Sequence, residues 1–376
     1  MKKLTLLLIF TLIFTLILSA MAYGQEITKG ETEYVTVPVN TSLLPGVSMS
    51  KIAVPEKKIV NNFNFNLLAG SAEKLRGVEF GGLINYYSED VRGVQFAGWA
   101  NIVKDKTVGG QFAGIVNLNG NEFIGAQFAG ITNIVPENIK GMQAAGIANI
   151  GLENMKGIQL AGIANMVPGN IKGTQIAGIA NIDLGTLEGA QVAGILNITD
   201  TVETGFQIGL LNYANENNGI PIGLVSYVKK DGLRADVWGD EAMFTNVGLR
   251  SGTHRFHNIL FVGKQVTDPL SWTVGVGFGP HFTLSKSGYI EIDLICQVIG
   301  DMANWEDSSY MGKYRLIGGW KIFDFISIYA GPTFNSFRSN ENDGSEYALW
   351  TMSENKEGDT WTRTSIGFVL GMKILK

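Results

Sequence analysis

The sequence predicts an all-β protein: a sixteen-residue β-repeat array, favoured as a β-solenoid, continuing into a C-terminal antiparallel, outer-membrane-barrel-like β region. Three observations carry this. A unit opening Gly-x-Gln-φ-Ala-Gly-Ile-x-Asn-Ile, with φ apolar, has its first glycine at Gly77, Gly93, Gly109, Gly125, Gly141, Gly157, Gly173, Gly189 and Gly205, without slip. Spacing this regular is the mark of a repeat architecture and outranks local propensity. Residues 220–376 alternate polar and apolar over long stretches. Finally, 48 glycines against 9 prolines supply tight turns and close backbone approach.

Residues 1–22 read as a signal peptide. Lys2 and Lys3 precede the apolar run Leu4 to Leu18, and Ala20-Met21-Ala22 is a small-residue cleavage site. Without this segment the chain carries 27 basic and 34 acidic residues, a net of −7, which argues against nucleic acid as a partner. Cys296 is the only cysteine, so no intrachain disulfide can form. Residues 23–76 form an extended lead-in ending in an N-terminal cap strand, for which NNFNFNLLAG (61–70) is the candidate.

The repeat region is 77–219. Its third position holds Gln95, Gln111, Gln127, Gln143, Gln159, Gln175 and Gln191, with Glu79 in the first copy. Its ninth holds Asn101, Asn117, Asn133, Asn149, Asn165, Asn181 and Asn197. Apolar residues recur at the fourth, seventh, tenth and fifteenth positions, and β-branched, glycine-rich units without a 3.6-residue period read as strand plus turn. In a solenoid, identical Gln and Asn stack about 4.8 Å apart as hydrogen-bonded ladders. The four apolar positions are then expected to fill the bore, so that Ile163→Asp costs far more than Lys156→Asp. The alternative lays each unit as one up-and-down strand of a single large barrel. Equal connections, the returning Asn and the apolar fifteenth position favour the solenoid.

In residues 220–376, Trp272, Val274, Val276, Phe278, Phe282 and Leu284 share a face against Thr273, Gly275, Gly277, Gly279, His281 and Thr283. Ile290, Ile292, Leu294 and Val298 oppose Tyr289, Glu291, Asp293 and Gln297. Ile366, Phe368, Leu370, Met372 and Ile374 oppose Arg363, Ser365, Gly367, Gly371 and Lys373. Connections alternate: short at 285–288 and 324–325, long at 300–313 and 338–360, as in outer-membrane barrels, with a soluble sandwich as the alternative. The lack of any hinge-like linker predicts one continuous sheet with the repeats.

The repeat GxQxAGIxNI, with NNFNFNLLAG before it and IGLVSYVKKDG after it, resembles the uncharacterised surface-repeat proteins of Bacteroidetes-type bacteria and spirochaetes. YRLIGGWKIF and ISIYAGPTFNSF are similar to the end of the same proteins. The resemblance implies an outer-membrane or cell-surface location and brings no catalytic residue with it.

Candidate chemistry is sparse. Glu291 and Asp293 lie on one strand face, a geometry that suits a polar lumen or a solvent face better than a glycosidase pair facing across a cleft. His254-x-x-His257 reads as a solvated turn without a third metal ligand. Gly275-Val-Gly277-Phe-Gly279 is a strand face of small residues, not a dinucleotide fingerprint. Trp238, Trp272, Trp305, Trp320, Trp350 and Trp361 suit an interfacial girdle as well as sugar stacking. The expectation is a non-enzymatic outer-membrane or cell-surface protein with a structural, adhesive or binding role and no cofactor or metal. Its partners are the membrane and a possible glycan or protein. A porin-like channel formed by the whole chain and a secreted glycan-binding or glycan-active protein are the alternatives.

Overall fold

The computed structural model describes residues 34–54, 56–265, 271–301 and 308–374. The expected signal peptide lies outside these residues, as does Trp305. The chain is all-β, a β-solenoid followed by an antiparallel sheet. It forms two compact units, residues 1–151 and 152–376. No described helix is long and apolar enough to cross a membrane.

In the first unit the strands pair parallel and in register at a spacing of one repeat: Gly125 pairs with Gly109 and Gln127 with Gln111. Parallel pairing rules out the up-and-down barrel for these repeats, because consecutive strands of such a barrel run antiparallel. The lead-in is itself a coil. Tyr34–Leu44 pairs parallel with Lys58–Asn66, which pairs with Lys74–Gly81. The expected cap strand is therefore an inner coil, covered by a segment that the sequence reads as extended.

In the second unit the coils continue through Met155–Ala161, Ile171–Ala177 and Thr186–Ala193, paired parallel in the same register. Shortened coils follow as far as Val225–Val228. Residues 220–228 thus belong to the solenoid, and the two architectures occupy separate sheets instead of the continuous one expected.

Of the four apolar positions expected to fill the bore, the fifteenth does so. Every Gln of the third position and every Asn of the ninth is fully buried, as is the fifteenth position (Val91, Phe123, Ile139, Met155, Ile171, Leu187). The eleventh position (Tyr87, Val103, Val135, Val167) joins them in the bore. The fourth, seventh and tenth positions mostly point out: Phe80 is 41% exposed, Ile163 43% and Met166 40%, while the tenth-position Leu118 is buried. The reading that placed these three positions inside is wrong, and with it the ranking of Ile163→Asp. A narrow coil has room for about four inward side chains, and two of the four are amides that satisfy one another.

Glycine at the first position is a steric demand. Gly125 has φ 137°, and a Cβ there would sit 1.8 Å from the carbonyl oxygen of Gly109 in the preceding coil. A φ of this kind is open to glycine and strained for other residues.

The second sheet is a closed ring of eight antiparallel strands: Arg234–Asp240, Thr245–Gly252, Phe256–Lys264, Ser271–Thr283, Gly288–Asp301, Ser309–Phe323, Ile326–Ser339 and Thr360–Ile374. Closure comes from the last strand pairing with the first, Ala235 with Ile374 through Asp240 with Val369. A ninth strand, Trp350–Glu357, pairs with the start of the last and is exposed along its length. It occupies part of what the sequence presents as a long loop.

Side chains alternate around this ring with the polar face inward. The three outward rows read from the sequence point outward, and Glu291, Asp293, Gln297, Arg363 and Lys373 are buried inside. Small residues fit that interior. A Cβ on Gly275 would meet the Phe261 ring at 2.3 Å.

The final coil meets the outer wall of the barrel. Asn258 Nδ2 donates to the Pro221 carbonyl at 2.7 Å and its Oδ1 accepts from Gly223 N at 3.0 Å. Ser226 N donates to Ser251 Oγ at 3.0 Å. These side chains satisfy backbone groups at the coil edge, where open strand edges invite pairing with other chains.

Candidate functional site

The fold offers three places for a site: the amide columns, the outward apolar rows and the barrel lumen. The amide columns are closed. In the first unit Gln95 Nε2 donates to Glu79, Gln111 to Gln95, Gln127 to Gln111 and Gln143 to Gln127, at 2.6 to 3.0 Å. In the second, Gln175, Gln191 and Gln207 continue the pattern from Gln159. The Asn columns run Asn85, Asn101, Asn117, Asn133, Asn149 and then Asn165, Asn181, Asn197, Asn212. Asn85, Asn101, Asn117 and Asn133, and Asn165, Asn181, Asn197 and Asn212, also reach the fourth-position carbonyl of the next coil, as Asn101 Nδ2 does to Phe112 O at 2.9 Å. The amide side chains bond one another within the bore, as buried amides must.

Glu79 ends the Gln column. Its Oε1 accepts from Asn64, Asn66 and Tyr87, and its Oε2 from Gln95. Desolvation outweighs these four bonds and pushes its pKa up to about 7. Asp183, in the inward eleventh position, is likewise raised by burial to about 6, against hydrogen bonds from Thr199 Oγ1 and Gly185 N.

Outside the coils, the fourth-position rings stack in a file. Phe80, Phe96, Phe112 and Phe128 have successive centroids 5.0, 4.9 and 5.2 Å apart. In the second unit Ile158, Ile163, Ile176, Ile179 and Ile195 are exposed apolar residues. A surface of this kind is larger than the scattered apolar residues of an ordinary solvated face.

The lumen holds a charge network. Asp236, Glu291 and Asp293 face Arg250, Arg315 and Lys373. Arg250 Nε lies 2.5 Å from Asp236, and Arg315 Nη2 lies 2.6 Å from Asp293. Lys373 Nζ bonds Glu291 directly. Tyr329 donates to Asp236 at 2.8 Å, and the Arg315 guanidinium lies 5.0 Å from the ring centre of the buried Trp238. Further along, Lys313 joins Asp240 at 2.8 Å and Glu241 at 2.9 Å.

His257, read from sequence as part of a solvated turn, is buried with Nε2 2.8 Å from Asp293 Oδ1; only His254 is exposed. The motif spans the turn and re-enters the barrel. Trp238 is a lumen residue and no girdle member. Ligand atoms of His257, Glu291 and Asp293 lie within 4.8 Å of one another. Arg250, Arg315 and Lys373 already contact these two carboxylates, so a cation placed there would meet three fixed positive charges.

Sequence alternation identified the lumen face of Glu291, Asp293, His281 and Lys373. It missed Asp236, Arg250 and Arg315: Asp236 pairs with Arg250 and Asp293 with Arg315 across neighbouring strands, and ring closure adds the contacts of Arg250 with Glu291 and of Tyr329 with Asp236. No family model matches this sequence, and no curated protein and no solved structure matches it.

Proposed function

We propose that this chain is an exported outer-membrane protein in which the eight-stranded barrel is the membrane anchor and the β-solenoid is a non-enzymatic binding or scaffolding module. The observation that carries the reading is the inverted alternation of the barrel. Its outward rows are apolar and its inward rows are charged and ion-paired, the arrangement a barrel needs in lipid. The outward row from Trp272 to Leu284 spans twelve steps, roughly 30 Å of height for a strand tilted about 40°. The filled lumen supports an anchor over a conducting channel.

Sidedness follows from the connections. The first strand begins, and the last ends, at the end that also carries the turns 253–255, 284–287 and 324–325. Short turns are periplasmic in bacterial outer-membrane barrels. The solenoid that feeds the first strand therefore belongs on the periplasmic side, with its outward apolar rows as the contact surface for a protein partner. The buried amides weigh against the glycan-binding alternative.

The test is fractionation with sidedness. In a Cys296→Ser background, Lys156→Cys should react with a membrane-impermeant maleimide only after the outer membrane is opened, and the protein should show heat-modifiable migration. A detergent-free soluble monomer would remove the membrane reading. Labelling in intact cells would place the repeats on the outer surface.

A further inference from the structure

We propose that the short-turn mouth of the barrel is an anion-binding site for a phosphoryl group, carried by a soluble ligand or by a lipid headgroup. A cavity of about 220 Å³ opens there, and its lining brings together Arg234, His254, His281, Lys286, Lys321 and Lys373. Glu291 is the one carboxylate among its lining residues, and Ser285 and Ser287 add hydroxyls.

The charges are not all available. Lys373 is bound to Glu291, and His281 Nδ1 lies 2.8 Å from the same carboxylate. Lys321 lies 3.2 Å from Asp324, a fully exposed partner screened by water. His254 lies 3.7 Å from Asp231. Arg234 and Lys286 make no ion pair among the described residues. Arg234 Nη2 donates to the Thr253 carbonyl at 3.2 Å, but its Nε is buried with no acceptor.

Buried donors are normally bonded, so an orphaned guanidinium N–H on a residue that lines a cavity points to an acceptor supplied by a ligand. A planar guanidinium suits the paired oxygens of a phosphoryl group. Two cations outside any ion pair match a dianion better than a single carboxylate. A metal cation would face a predominantly positive wall. The level in the barrel agrees. The exposed apolar side chains Leu284, Phe323 and Phe325 belong to the same turns, where a membrane's phosphates would lie.

The experiment uses the full chain in zwitterionic detergent and equilibrium dialysis with labelled inorganic phosphate at low salt, a measurement independent of where the protein resides in the cell. Saturable binding is expected, weakened about ten-fold or more by Arg234→Gln and by Lys286→Gln, with acetate a poor competitor. Lys286 is exposed on a turn, so its variant decides the matter even if Arg234→Gln fails to fold. Competition by phosphatidic acid in phosphatidylcholine nanodiscs assigns the lipid source. Competition by pyrophosphate alone assigns a soluble one. Absence of saturable binding up to ~10 mM, a level at which the affinity would be negligible, overturns the proposal. So does equal affinity in wild type and Lys286→Gln.

Discussion

Replacing Asn181 by leucine tests whether the bore is held by polar ladders. Asn181 Nδ2 donates to Asn197 Oδ1 at 3.0 Å and to the Val192 carbonyl at 2.9 Å, and Asn165 Nδ2 is 2.9 Å from Asn181 Oδ1. Leucine keeps the branched four-atom skeleton with somewhat bulkier ends, and it removes these three bonds and the longer one from Asn181 Nδ2 to the Gln175 carbonyl at 3.3 Å. Asn197 Oδ1 loses its donor, Val192 O loses one of its bonds, and Asn165 loses an acceptor. At about 1–3 kcal/mol for each stranded buried group, discounted for partners that keep a second bond, the loss is about 3–4 kcal/mol. The neighbouring outward Ile179 is 45% exposed, so Ile179→Asp forfeits about 1 kcal/mol of burial and leaves its carboxylate in water. Hydrogen exchange across residues 171–208 is the assay, because coils contact only their neighbours and open locally. Asn181→Leu should raise exchange by two orders of magnitude or more in these coils, and Ile179→Asp by less than ten-fold. An Ile179→Asp effect equal to that of Asn181→Leu would mean that the outward row is buried against something in the folded protein, and the argument would fail.

Glu79 gives a pH signature. Its folded pKa of about 7 lies above the ordinary 4.5, so the folded state holds the proton more tightly and stability falls as pH rises from about 4.5 to about 7. The loss is about 3 kcal/mol by pH 8. Denaturant melts of the first unit's coils should lose this slope in Glu79→Gln, and a slope retained by that variant would remove Glu79 as its source. Gly125→Ala should unfold its coil, costing 3 kcal/mol or more through the 1.8 Å approach to Gly109 O, read as loss of exchange protection around 107–145. In the barrel, Leu370→Arg on the outward wall should cost about 2–4 kcal/mol in lipid and reduce heat-modifiable assembly, while Thr362→Arg near the strand start should be tolerated. Arg250→Met leaves Asp236 and Glu291 short of a partner and should cost about 3–5 kcal/mol in refolding assays. An unchanged refolding midpoint would mean that the network is solvated.

The sequence by itself determined the periodicities. The sixteen-residue return of Gly, Gln and Asn requires stacked identical coils, and the alternation from Trp272 to Leu284 and from Ile366 to Ile374 requires strands with two unlike faces. Both are properties of local spacing, legible without a partner. Which face is inside belongs to the tertiary structure. Apolar residues at the fourth and seventh positions would ordinarily mark a core, yet Gln127 and Asn133 take the bore. Their amides are satisfied only when identical residues lie one coil above and below, and no single coil records that. Ring closure decided the barrel interior in the same way. Asp236, Arg250, Asp293 and Arg315 lie on four different strands, and only the pairing of the last strand with the first makes their face a lumen in which the charges can neutralise one another. Tyr34–Leu44 reads as an extended lead-in because its partner, Lys58–Asn66, stands 24 residues away in register, outside the sixteen-residue period. Hydrogen bonding across that gap, which no local pattern encodes, makes it a coil.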